Sequence, residues 1–393
     1  MAASCAFVFA PRRLLEATRE LLPFSPDLVS TSKSVTPFIP NAVNPVIHND
    51  QDGTDWDVES WIKELSDDPE IVNLLWQIIC ACLRPGVAWR RLGLLYSEKG
   101  NNGKGTFAEL VRQVVGASRC ASIPLADFGE DFLLEPLTQA QAIVVDENDV
   151  GVFLDRAANL KSVVTGDMIS INRKFLSPIT YRFLGFMLQC VNELPRFKDK
   201  TASIYRRQLV IPMLKNFKGI ERRYIKDDYI TRPEVRQYVL WRVLEGMPTY
   251  YELSEPQACK DALEQLKLAN DPVRDFWQEF REQFVWDLLP FSFLYDLYKA
   301  WYVRAHNSQT KTSETGFTTS LFGILDEETN PIFYCVDRNA DHRVSSRMHD
   351  TELLIARYDL EDWTNPGYPG KDPVLKSKPI LQPKYRGLLR VKP

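Results

Sequence analysis

The sequence has little of what would take it out of the ordinary aqueous proteins. Its densest apolar stretches, Leu74–Leu83 and Leu184–Val191, fall far short of the ~20 residues that a membrane-spanning helix needs. The opening MAASCAFVFAPRR has its arginines after the apolar run, so no secretory signal is expected. The seven cysteines include no CxxC pair, and an odd, scattered set points to reduced thiols in a cytosol and away from a structural zinc. The four histidines are isolated, which leaves no His-based metal or acid–base cluster. Positive charge is not in excess. With 48 Lys and Arg against 52 Asp and Glu the net charge is −4, which excludes a globally basic nucleic-acid binder but not a locally basic surface. Internal repeats and low-complexity tracts are missing too, so neither a solenoid nor a fibre is in view.

What remains is a 393-residue globular composition, 45% apolar and 25% charged, long enough for two or three domains. Residues 1–55 form a Pro-rich mixed segment of short strands and turns. Helical patterns follow: DVESWIKEL with its acidic start, then PEIVNLLWQIICACL, which opens at Pro69 and stops before Pro85-Gly86. Between 92 and 216, apolar strand-like runs (LGLLYS, AIVVDEN, FLGFMLQCVN, LVIPML) alternate with helical ones (TFAELVRQVV, LDRAANLKSVV). That alternation predicts an α/β domain on a largely parallel sheet. Residues 219–270 read as helical. From Asp271, two aromatic amphipathic helices, a further helix and strands suggest a winged-helix-like α+β module. Residues 371–393, with seven Lys/Arg and one Asp, read as a basic tail. Trp61, Trp76, Trp277 and Trp286 fall on amphipathic helices and are expected in the core.

Four elements carry chemistry. In YSEKGNNGKGTF a Gly-rich loop lies between an apolar strand and a helix, the setting in which a loop cradles phosphates. Gly100, Gly103 and Gly105 permit close backbone approach. The amides of Asn101, Asn102 and the residues up to Thr106 can point at an anion at a helix N-terminus, and Lys104 can reach the terminal phosphates. The strict pattern GxxxxGK[ST] is not met: Glu98 stands where the first glycine belongs, and Gly105 separates Lys104 from the hydroxyl of Thr106. The second element, AIVVDEN, ends an apolar strand in Asp146, which can hold Mg²⁺ together with Thr106, and Glu147, which can activate the attacking water. The third ends in Asn192, a neutral amide suited to sensing the γ-phosphate. The fourth, SIYRRQLVIPM, offers Arg206 and Arg207, one of which can stabilise transition-state charge from a neighbouring subunit. Arg207, directly before a strand, is the favoured one.

In this order and compact spacing, SEKGNNGKGTF, IVVDEN, LKSVVTGDMISINRKF, CVNELPRFKDKTASIYRRQLVIP and the downstream NDPVRDFW and WDLLPFSFLYDLYKAW resemble a superfamily III helicase core. More closely, the chain resembles the phage and plasmid primase–helicase family, relatives of the poxvirus nucleoside triphosphatase, over roughly residues 20–330. The resemblance implies an AAA+-type P-loop NTPase core at 91–218 using ATP and Mg²⁺. It also implies a preceding helical, oligomerising domain at 56–90, a helical linker or lid at 219–270 and a winged-helix-like DNA-binding domain at 271–370. It implies a ring, expected to be a hexamer, that moves along single-stranded or forked DNA in a bacterial host cytoplasm. It further implies a pore hairpin, here the alternating MISINRKF, with Asn172, Arg173 and Lys174 at its tip on the DNA backbone. The first 90 residues hold neither a DxD strand nor a Cys/His set, so this stretch reads as a helicase without a polymerising domain; a primase is expected on a separate replication protein or on a segment upstream of this sequence. Two other readings stand beside the helicase: a replication initiator or primase-associated NTPase without strong unwinding, and a P-loop phosphotransferase.

Overall fold

The computed structural model describes residues 34–391 except 131, 150, 152, 155, 199–201, 311, 336 and 378; before residue 34 it describes three short strands. Those strands, Ala6–Phe9, Arg12–Leu15 and Leu21–Pro23, make an antiparallel sheet. The rest of the mixed segment up to residue 33 lies outside the described residues, as do 199–201 of the CVNELPRFKDKT motif and Lys378 and Lys392 of the expected tail. The chain divides into two compact units, 1–266 and 267–393.

Unit 1 is built on a five-stranded parallel sheet. Its strands are β1 (Leu92–Tyr96), β2 (Cys120–Ala121), β3 (Ala142–Val145), β4 (Phe186–Val191) and β5 (Gln208–Pro212). They lie in the order β5-β1-β4-β3-β2, and every neighbouring pair is parallel. A parallel sheet covered on both faces needs strands that are apolar throughout, which is why β1, β3, β4 and β5 read as unbroken hydrophobic runs. Alternate side chains go to opposite faces. Leu95, Val144, Leu188, Cys190 and Ile211 join one core cluster; Leu94, Ile143, Val145, Met187 and Val210 join the other.

The first face is covered by α2 (Pro69–Leu83), α3 (Lys104–Val115) and the helix Pro233–Leu244, with α1 (Val58–Glu64) at its edge. Local chemistry sets these helices. Asp57 caps α1 by accepting from the Ser60 amide, and Asp68 caps α2 by accepting from the Glu70 amide, with Pro69 at the first helical position. Residues 56–90 and 219–244 therefore contribute to the core of unit 1 rather than standing as bodies of their own. The second face carries the helix Ala158–Thr165 and an antiparallel hairpin, Met168–Arg173 with Leu176–Arg182.

Unit 2 packs three helices, Pro272–Phe280, Phe291–His306 and Glu314–Glu327, on a small antiparallel sheet. Its core is aromatic, with Phe276, Trp277, Phe280, Phe293, Tyr298 and Phe317 all buried. Trp61, Trp76 and Trp277 are buried on helices, as their spacing predicts; Trp286 is buried too, but it lies between the helix Pro272–Phe280 and the strand Leu288–Pro290 and not on a helix. The expected basic tail departs from its reading. Gly387–Arg390 is the central strand of the sheet, between Leu288–Pro290 and Phe333–Tyr334, and Lys384–Tyr385 pairs with His342–Arg343. The cause is steric as well as apolar: Leu388 is buried, and a Cβ at Gly387 would meet the Leu289 carbonyl at 2.1 Å. No helix among the described residues is long and apolar enough to cross a membrane.

Candidate active site

The strand order brings the motif residues together. β1, β4 and β3 are adjacent and parallel, so the loop after β1, Asn192 after β4 and the acidic turn after β3 all emerge at the carboxyl edge of the sheet. In open α/β sheets that edge is where ligands bind.

The loop of residues 97–103 delivers Lys104 as the first residue of α3. Gly103, just before it, has φ +84°, a backbone conformation that favours glycine, and a Cβ there would lie 2.6 Å from Leu65 Cδ2 and push that side chain aside. The Asn102 side chain is buried and fixes the loop from within: it donates to the Lys99 carbonyl and accepts from the Lys104 amide at 3.2 Å. Asn101 is tied outward, its side chain to Glu221 at 3.1 Å and its carbonyl to the Phe217 amide at 2.7 Å. Gly100 is exposed, and Gly105 and Thr106 are half-buried.

The Lys104 side chain turns inward and is only 6% exposed. Its ammonium donates to the Ser97 carbonyl at 3.0 Å, the Val191 carbonyl at 3.0 Å and Asn192 Oδ1 at 2.9 Å. It thus bridges the ends of β1 and β4. Burial lowers its pKa, against a smaller opposing effect of Cys190 beneath it. The Cys190 thiol, itself buried, is pushed up to about 12 by desolvation and feels the charges of Lys104, Asp146, Arg112 and Lys226.

Asp146 and Glu147 are exposed. Asp146 accepts from Arg112 at 3.0 Å, and Arg112 also donates to the Val144 carbonyl at 3.0 Å and to Glu109 at 3.2 Å. Partial burial raises the Asp146 pKa, but the Arg112 hydrogen bond and charge outweigh it, and the net shift is downward. Asn148, two residues on, anchors the acidic turn from below. It accepts from the Leu125 amide at 2.9 Å and donates to Gln189 Oε1 and the Cys190 carbonyl, each at 3.0 Å, while Gln189 donates to the Ile123 carbonyl at 3.0 Å. The sequence reading missed this pair. Its signal is Gln189 itself, the one polar residue of the otherwise apolar β4.

Beside the loop opens a cavity of about 320 Å³. Trp61, Leu65, Phe217 and Ile225 supply apolar wall, Thr106 opens onto it, and Lys226 lies on its rim. Lys226 belongs to the short helix Arg223–Asp227, and its Nζ is 3.7 Å from where a Gly105 Cβ would be. Sequence reading missed this wall, since Trp61 and Leu65 come from before the expected core, Phe217 from its last residues and Ile225 from beyond it.

The two arginines do not join this cluster. They precede β5, whose first residue pairs with Leu92 at the amino end of β1, the edge opposite the loop. Arg206 is exposed. Arg207, the favoured one, donates to the Ser203 carbonyl and to Ser203 Oγ at 2.7 Å in its own chain. The hairpin residues are also apart from the site. Asn172 is half-buried, Lys174 is exposed, and Arg173 turns back, donating through Nε and Nη2 to the Ser177 carbonyl at 3.2 and 3.0 Å.

Comparison with known proteins adds the following. Residues 95–207, which span the loop, the acidic turn, Asn192 and both arginines, match a family of unknown function, DUF5906. Residues 268–365 match the family described as poxvirus D5 protein-like. No curated protein matches. Similar solved structures include three apo structures of the C-terminal region of NrS-1. The first is 14% identical with a TM-score of 0.44, covering 73% of this chain and 63% of that one. The second is 12% identical with a TM-score of 0.42, covering 77% and 80%. The third is 12% identical with a TM-score of 0.42, covering 81% and 85%.

Proposed function

Because residues 268–365 relate this chain to the poxvirus D5-like primase–helicase family, we propose that it is an ATP-driven DNA helicase or translocase serving the replication of a phage or other mobile element. One observation carries the reading: Lys104, at the start of a helix behind a Gly-rich loop, reaches Asn192 at the end of the neighbouring parallel strand. A lysine so held, with acids on the next strand, suits a terminal phosphate bound at the carboxyl edge of the sheet. The order β5-β1-β4-β3-β2 fits an AAA+-type core.

In this reading the amides of residues 101–106 and the Lys104 ammonium bind the β- and γ-phosphates, and Asn192 senses the γ-phosphate. The cavity lined by Trp61, Leu65, Phe217 and Ile225 takes the base and sugar. Thr106 and Asp146 are hard oxygen donors of the kind Mg²⁺ takes, and Arg112 keeps Asp146 ionised, so the residues fit that ion. When bound, the ion supplies neutralising charge to the phosphates. Glu147, exposed beside Asp146, accepts a proton from the attacking water. An arginine from a neighbouring subunit completes the site. Arg206 is the better candidate, since Arg207 is engaged with Ser203. Six copies in a ring would present the 168–182 hairpins to one DNA strand, and unit 2, with helices on a small antiparallel sheet, would serve as a winged-helix-like DNA contact.

Nucleotide turnover with and without single-stranded DNA tests this. The wild-type chain is expected to hydrolyse ATP faster when the strand is added, and Lys104→Ala to lose turnover by about a hundredfold or more. Equal turnover in Lys104→Ala would sink the proposal.

A further inference from the structure

Phe175 is the most exposed large apolar side chain in the described residues, at 103% relative exposure. It is also backbone-strained. The hairpin strands pair out to Arg173 and Leu176, which leaves Lys174 and Phe175 as a two-residue turn. Phe175 takes φ +61°, a conformation that turns normally give to Gly or Asn and that is an outlier for a bulky residue. Neither the turn nor any burial within the chain favours phenylalanine here. A residue that the fold works against on two counts points to a use outside the fold.

The surroundings say what use. The base of the hairpin is anchored, with Ile169 and Ile171 buried in the core. The double hydrogen bond from Arg173 to the Ser177 carbonyl braces the tip. The tip is therefore a stiff arm that ends in an exposed ammonium, Lys174, next to an exposed ring, with Leu176 also 59% exposed. A cation beside an aromatic face matches a polyanion whose bases are unstacked: the cation takes a phosphate and the ring stacks on a base.

We infer that Phe175 contacts bases: its ring stacks on a base of single-stranded nucleic acid while Lys174 holds an adjacent phosphate. The inference rests on the translocase reading above and adds a second kind of contact to the ionic one expected of the hairpin. It assigns the strand-gripping role to Lys174 and Phe175, with Arg173 as the brace.

The test is the affinity of the full chain for a labelled oligodeoxythymidine, measured over a series of salt concentrations. Phe175→Ala and Phe175→Gly are expected to weaken binding by about tenfold with no change in the salt slope, because stacking releases no counterion. Phe175→Trp should keep the affinity. Lys174→Ala should make the slope shallower by about 0.7 per contact. Phe175→Gly should melt no lower than wild type, since glycine accepts φ +61°; its loss of affinity then reports the ring and not the fold. Wild-type affinity in both Phe175 variants would overturn the inference, and so would a loss accompanied by a change in native mass, which would mark Phe175 as a contact between copies. A wild-type chain that binds no strand at all would instead remove the translocase reading itself.

Discussion

The Lys104 ammonium ends 2.9 Å from the side-chain oxygen of Asn192, so the cation and the amide proposed to read a γ-phosphate are already in contact with each other. A phosphate entering the loop has to take one of the three acceptors' places on that ammonium. Asn192 is the one on a side chain, and it is exposed and able to swing away, whereas the Ser97 and Val191 carbonyls are fixed by the sheet.

Replacing Asn192 with Ala should therefore separate binding from chemistry. The ammonium keeps its two carbonyls and is easier for a phosphate to engage, while the later contact to the γ-phosphate is lost. Expected is a fall in kcat of about tenfold or more with KM for nucleotide within about threefold. Steady-state kinetics over a nucleotide series checks this, and a raised KM at full kcat would contradict it.

Arg112 holds the Asp146 pKa down. A depressed carboxylate contributes stability that is present above its unfolded pKa and is lost as pH falls through the folded one. Arg112→Ala should cost about 1 kcal/mol or less at pH 7, since Asp146 is well exposed. The gap in melting temperature between wild type and variant should narrow as pH drops below about 3.9, the ordinary Asp value, and on through the depressed one, leaving the part that the Val144 carbonyl contact contributes. A gap that stays constant across that range would mean that the pair is not what Arg112 contributes.

Asn148→Ala strips partners from the Leu125 amide, Gln189 and the Cys190 carbonyl, all buried. Unsatisfied buried groups cost about 1–3 kcal/mol each in the worst case, so a loss of about 2–3 kcal/mol is expected in denaturant unfolding of unit 1. Turnover should fall further than stability explains, because the turn bearing Glu147 loses its anchor. A midpoint shift without any added loss of turnover at a temperature where the variant is folded would limit Asn148 to a structural part.

Glu352, fully buried in unit 2, accepts from the Val285 amide at 2.7 Å, the Trp286 amide at 3.3 Å and the Leu354 amide at 3.4 Å. Burial raises its pKa in spite of those donors. A carboxyl raised in the folded state contributes stability that is complete below the unfolded pKa and is lost as pH rises through the folded one. Glu352→Gln should cost about 1–3 kcal/mol, with the largest gap to wild type below pH ~4.3 and a smaller one toward neutrality. Melting curves across that range, followed in the Trp-rich unit 2, decide it; a gap that grows with pH would reverse the sign and refute the account.

Much of this is legible in the sequence, for a physical reason. β1, β3, β4 and β5 are buried on both faces, so LGLLY, AIVV, FMLQCV and QLVIP carry their own signal. Asp57 and Pro69 announce the starts of α1 and α2, and the Gly/Asn-rich loop announces itself by composition. The rest depends on partners far away in the chain. Nothing near Asn101 foretells Glu221, and Arg112 reads as an ordinary polar residue of a helix until β3 brings Asp146 to it. Nor does anything around Arg207 foretell that Ser203 will accept from its guanidinium, or that the strand after it begins at the sheet edge opposite the loop. Residues 384–390 look like a charged tail because lysines and arginines flank a very short apolar core, Leu388-Leu389, whose strand partners, Leu288–Pro290 and Phe333–Tyr334, lie far back in the chain.

That last pairing sets a timetable. Leu288–Pro290 cannot complete its hydrogen-bond ladder until the ribosome has emitted Arg390, because the missing middle rung of the sheet is Gly387–Arg390. Unit 2 must hold its aromatic helices together without that rung through most of its synthesis, then close a loop that spans nearly its whole length. Nascent chains halted short of residue 387 should be chaperone clients, whereas a reporter fused downstream of the strand should mature normally.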